Sequence, residues 1–124
     1  MKITINDDRK IFAIQEEFGK QFPYLKLEFF SKPHKSGGES SRKHIKSSRK
    51  TLGECRTIHN TGEITITPQM TVNELEQRFA DVYGLGVQVF RKSINVWLET
   101  TVTDGWSLEE QNKQGESLNE EIQD

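Results

Sequence analysis

The sequence predicts an α+β protein, a two-layer sandwich in which two helices pack on one mixed sheet of about six strands, built from two βαβ-like units. Three observations predict it. Two stretches carry apolar residues at helical spacing, each is flanked by short alternating stretches of strand character, and the two patterns superimpose at a constant offset. A chain of 124 residues, 32% apolar and with a mean hydropathy of −0.74, has material for one modest core.

In the first unit KITIN alternates as a strand with Ile3 and Ile5 on one face. Asp7 or Asp8 then offers a carboxylate to cap a helix whose stripe is Ile11, Ile14, Phe18 and Phe22. Pro23 stops that helix, and YLKLEFF returns as a strand with Leu25, Leu27 and Phe29 on one face and Tyr24 and Phe30 on the other. The second unit repeats this 61 residues later. GEITIT supplies Ile64 and Ile66, the capping box Thr71-x-x-Glu74 opens a helix, and its stripe of Val72, Leu75, Phe79 and Tyr83 matches the first position by position. Gly84 ends that helix, and LGVQVFRK parallels LKLEFFSK with one residue deleted.

Two further strands complete the expected sheet. KTLGECRTIHNTG reads as a weak strand ending in the turn Asn60-Thr61-Gly62. A turn at Lys92-Ser93 would pair Val89 with Val96 and Val87 with Leu98, facing the helices, and would put Trp97 beside Phe90 on the opposite face. After Val102 large apolar residues are sparse. SLEEQNKQ reads as a short capped helix and the last ten residues as frayed.

From Gly62 onward the chain runs strand, Thr-capped helix ending in Tyr83-Gly84-Leu85, two strands, and then Thr103-Asp104-Gly105-Trp106-Ser107-Leu108. Residues 62–112 thereby resemble the ubiquitin-like β-grasp pattern, in which such a turn leads into a short helical stretch. The resemblance implies a protein-interaction module rather than a modifier tag.

The formal charge of −2 conceals an asymmetry. Residues 1–31 sum to 0, residues 32–50 to +6, residues 51–98 to −1 and residues 99–124 to −7. We therefore expect one domain over residues 1–106 holding a flexible basic loop at 31–50, followed by an acidic extension at 107–124 that competes for the loop's cations.

No apolar run approaches the roughly 18 residues needed to cross a bilayer, and no apolar stretch follows Lys2 as in a leader. One cysteine, Cys55, makes no internal disulfide, and a cytoplasmic location is the expectation. Nothing in the pattern supports a metal or cofactor: Cys55 and His59 lack further ligands, and the glycines follow the helices instead of preceding them as in a phosphate cradle. The helical carboxylates, including Glu16, Glu17, Glu74 and Glu76, read as solvated faces, so no catalytic residue is assigned. A thiol enzyme at Cys55 and His59 is the least favoured reading.

The informative residues are then Lys35, Arg42, Lys43, Lys46, Arg49 and Lys50 in the basic loop and Tyr24, Phe30, Phe90 and Trp97 on the outer sheet face. They predict a non-enzymatic interaction module whose partner is a protein or a second copy. Single-stranded nucleic acid is the runner-up, since aromatic rings beside cations can stack bases and neutralise phosphates.

Overall fold

The computed structural model describes residues 1–31 and 43–122. Its elements are β1 (Lys2–Ile5), α1 (Ile11–Gln21), β2 (Leu25–Phe30), a 3-10 turn (Leu52–Cys55), β3 (Gly62–Thr65), α2 (Val72–Tyr83), β4 (Gly86–Ser93), β5 (Val96–Glu99) and α3 (Leu108–Ile122). The α+β class is as expected, but the described strands form two antiparallel sheets instead of one mixed sheet of six: β1 with β3, and β2-β4-β5 in that order.

Each βαβ-like unit therefore sends its two strands into different sheets. The alternation explains why both sheets face one core. Ile3, Ile5, Ile64 and Ile66 on the ribbon β1/β3, and Leu25, Leu27, Phe29, Val87 and Val89 on β2/β4, are buried together with the helix stripes Ile11, Ile14, Phe18, Phe22 and Val72, Leu75, Phe79, Tyr83. Both predicted stripes are thus core. The capping box of α2 is present, and Gly84 at its end has φ 63°, the left-handed conformation that glycine adopts without steric cost.

The repeat extends further than periodicity suggests. Ile3 faces Ile64 in one sheet and Glu28 faces Gln88 in the other, so equivalent residues of the two units meet at the centre of each antiparallel pair, as an approximate twofold axis requires. The backbone bonds repeat as well. Ile11 N–H donates to Lys50 O and Val72 N–H to Trp106 O; Phe12 donates to Ser48 O and Asn73 to Asp104 O; Leu52 donates to Arg9 O and Leu108 to Met70 O. A capping box closes each unit, Thr51 with Glu54 and Ser107 with Glu110, and each is followed by a fully buried leucine, Leu52 or Leu108.

Three expectations fail for identifiable reasons. The weak strand expected within 50–62 is instead the 3-10 turn and an irregular segment, because Thr51 and Glu54 form a capping box that a strand cannot make. The capped helix expected from SLEEQNKQ is present, but the last ten residues, read as frayed, continue it to Ile122, and α3 packs on β4 and β2 with Leu108, Gln111 and Gly115 buried. Residues 62–112 do not adopt the β-grasp arrangement they resemble, since β3 pairs with β1 and not within the sheet of β4. No helix of the described residues is long and apolar enough to cross a membrane.

Candidate interaction surface

The β4/β5 hairpin departs most from expectation. It turns at Ile94-Asn95, two residues later than Lys92-Ser93, so Val96 lies opposite Ser93 and Leu98 opposite Arg91. The shift preserves which face each side chain occupies but slides Val96 and Leu98 past the end of the core. They are 55% and 44% exposed instead of facing the helices. Ile94 has φ 59°, a left-handed conformation that strains a β-branched residue, and is half-exposed.

Arg91 closes the core at this end. Its Nη1 donates to Gln111 Oε1 at 2.9 Å, its guanidinium lies 5.8 Å from the centroid of Trp106, and Gln111 is held in turn by Thr103 O at 2.8 Å. Beyond it, Val96, Leu98, Val102 and Trp106 are all exposed. β5 is also a sheet edge. Lys92 N–H donates to Tyr24 O, toward β2, and Thr100 N–H to Val89 O, so alternation turns the backbone groups of Val96 and Leu98 to β4 and those of Trp97 and Glu99 outward. Among the described residues nothing pairs with that outer edge.

The outer face carries most of the predicted aromatics, but its rings are not bare. Lys26 Nζ lies 4.9 Å from the centroid of Trp97 and 5.8 Å from that of Phe90. His44 covers Phe30 at 5.0 Å between centroids and bonds Glu28 through Nε2 at 2.8 Å, while Glu28 also pairs with Lys26 at 3.2 Å. Phe30, Phe90 and Trp97 thus share one cation-dressed strip. Tyr24 stands apart from it: its N–H donates to Asn112 Oδ1, and α3 passes so close that a Cβ on Gly115 would lie 2.8 Å from Tyr24 Cβ.

Of the basic residues, Lys35 and Arg42 lie outside the described residues. Lys43, Lys46, Arg49 and Lys50 are exposed and no described carboxylate pairs with them. Their backbone is pinned, however: Ser31 donates to Lys43 O, Ile45 donates to Phe29 O, and α1 donates to Ser48 O and Lys50 O. Residues 43–45 border β2 at its Phe30 end, while α3 lies against its Tyr24 end, where Asn112 Oδ1 accepts from Tyr24 N–H. In the acidic segment Glu109 pairs with Lys113.

Sequence reasoning missed a second polar cluster. Arg56, its side chain wholly buried, donates to Asp7 Oδ1 at 2.8 Å and to Tyr83 O at 3.0 Å, and His59 Nδ1 lies 2.7 Å from Asp7 Oδ2. The guanidinium ties the turn after β1 to the carbonyl end of α2, where the helix dipole favours a cation. The hydrogen bond from His59, followed by that from Arg56, holds the Asp7 carboxyl below its ordinary value against the opposing pull of desolvation. Cys55, which the same reading grouped with His59, is different. Burial pushes its thiol up, the reverse of activation, and His59 is bonded to Asp7. No group of three or more metal-ligating side chains occurs among the described residues. Comparison with protein-family models, curated proteins and solved structures finds no match for this chain.

Proposed function

We propose that this protein is a non-enzymatic interaction module that receives a protein partner on the hairpin of β4 and β5, with the cation-dressed strip beside it. The supporting observation is the exposure of Val96 and Leu98 on an unpaired strand edge. Edge strands with exposed apolar side chains are usually shortened, charged or covered, because their free N–H and C=O groups template pairing with another chain. Strain at Ile94 points the same way. Asn or Gly would turn the hairpin at lower cost, and an exposed isoleucine there serves contact better than stability.

The test is a photo-cross-linking amino acid placed in turn at Asn95, at Thr101 and, as a control, at Glu16 on α1 in cells that make the protein. Protein adducts at Asn95 and Thr101 that are absent from Glu16 and lost on Val96→Asp are the expected result. Adducts equally frequent at Glu16, or unchanged by Val96→Asp, would defeat the proposal.

A second reading rests on Lys43, Lys46, Arg49 and Lys50, four exposed cations with no described carboxylate partner, and assigns them to single-stranded nucleic acid or another polyanion. The rings are a weaker support for it, since Lys26 and His44 already occupy the faces on which bases would stack. Retention on single-stranded nucleic acid that falls with salt and vanishes when these four are changed to Ser would establish this reading; no retention at low salt removes it.

A further inference from the structure

We infer that the occupant of β5 is a second copy of this chain, paired antiparallel to it about a twofold axis through Leu98. The inference rests on the proposed function and names its partner. The outward backbone groups of β5 belong to Trp97 and Glu99, and a self-pairing strand can satisfy them in only a few registers. An axis at Glu99 sets two carboxylates directly opposite each other, which is destabilising. An axis at Trp97 leaves Glu99 opposite Asn95, in the turn. An axis at Leu98 places Trp97 opposite Glu99 of the second copy twice over and satisfies every outward N–H and C=O group of both residues.

Side chains favour the same register on both faces. On one face, Leu98 meets Leu98 of the second copy at a non-hydrogen-bonded position, where side chains approach most closely, flanked by Val96 of each copy. These are the residues left exposed at 44% and 55%. On the other face, Glu99 of the second copy arrives beside Trp97, over which the Lys26 ammonium already lies at 4.9 Å. Each copy thus supplies a carboxylate to a cation of the other, and the contact is complementary in charge as well as shape. The pairing joins two β2-β4-β5 sheets edge to edge and removes the open edge of both, as a closed twofold interface should.

Sedimentation velocity over a concentration series tests it. The expected result is a reversible monomer–dimer equilibrium that stops at the dimer. Leu98→Lys, which sets two ammonium groups face to face, and Glu99→Pro, which removes an outward N–H without touching the bonds to β4, should each raise the dimer dissociation constant about tenfold or more, with an unchanged circular dichroism spectrum. Lys26→Glu and Glu99→Lys should weaken the dimer singly and restore it in combination. A protein that stays monomeric throughout, open-ended polymers, or a dimer indifferent to these changes would overturn the inference. If the protein is monomeric yet still gives adducts at Asn95 and Thr101 with a different protein, the proposed function stands and only the identity of its partner is refuted.

Discussion

Leu98 and Leu108 distinguish the observed hairpin register from the one the sequence suggests. Leu108 is fully buried, so Leu108→Ala removes its methyl groups from the core and leaves a void, a change that costs about 2 to 5 kcal/mol. Leu98 is 44% exposed. It forfeits only about half of the roughly 1.5 to 3 kcal/mol that full burial of a leucine contributes, less what alanine retains, and solvent fills the space, so Leu98→Ala should cost about 1 kcal/mol or less. At roughly 4 °C per kcal/mol for a chain of this size, the melting temperature should fall about 4 °C for Leu98→Ala and about 8 to 20 °C for Leu108→Ala. Urea unfolding followed by far-ultraviolet circular dichroism, at a concentration where the protein is monomeric, gives both values. A Leu98→Ala variant as unstable as Leu108→Ala would refute the register and restore Leu98 to its expected place opposite Val87. Leu52→Ala extends the same experiment. Leu52 occupies in the first unit the position of Leu108 in the second, and its loss should fall in the same range as that of Leu108→Ala.

Two other outcomes follow from local chemistry. Asp7 has a folded-state carboxyl below its ordinary value of 3.8, so its contribution to stability is complete above that value and is lost as pH falls below it through the depressed folded value. Urea midpoints measured between about pH 5 and pH 2 should fall less steeply for Asp7→Asn than for the natural chain, and equal slopes would show that Asp7 gains nothing from His59 and Arg56. Ile94→Gly should relieve the left-handed strain at φ 59° and raise the stability of the monomer by about 1 kcal/mol, while weakening whatever binds the hairpin. A melting temperature lowered by Ile94→Gly would mean that Ile94 is held by packing and not strained.

The core was legible because its signals are local. Ile11, Ile14, Phe18 and Phe22, and their counterparts Val72, Leu75, Phe79 and Tyr83, specify helix, face and burial by spacing alone, and all of them are buried. The candidate surface was partly legible. Alternation placed Phe30, Phe90 and Trp97 together on the outer face, yet it could not show that Lys26 and His44 lie on those rings, because neither is near its ring in sequence terms other than through strand pairing and the bridge from Phe30 to His44. Val96 and Leu98 were misplaced because moving a hairpin turn by two residues keeps every side chain on its face while changing every partner. The signal for the true turn was Asn95, a residue suited to two-residue hairpin turns, obscured by an isoleucine at the position before it. Arg56 offered no sequence signal, since its burial depends on Asp7 and on Tyr83, 49 and 27 residues away.

By itself the sequence determined the α+β class, the two helix stripes with their constant offset of 61 residues and the capping box at Thr71, all of which follow from the spacing of residues along one helix or strand and the chemistry of its ends. Only the tertiary structure decided which strands pair. A strand's pattern declares a face but names no neighbour, and here the first strands of the two units pair with each other, as do the second, about a shared axis. That exchange puts residues 43–45 at the Phe30 end of β2 and α3 at its Tyr24 end, and leaves β5 as an open edge among the described strands. The basic run and the acidic tail look like natural partners in a linear chain. Among the described residues Lys43, Lys46, Arg49 and Lys50 have no carboxylate partner, because strand pairing and helix packing, not the charges, set where each segment lies.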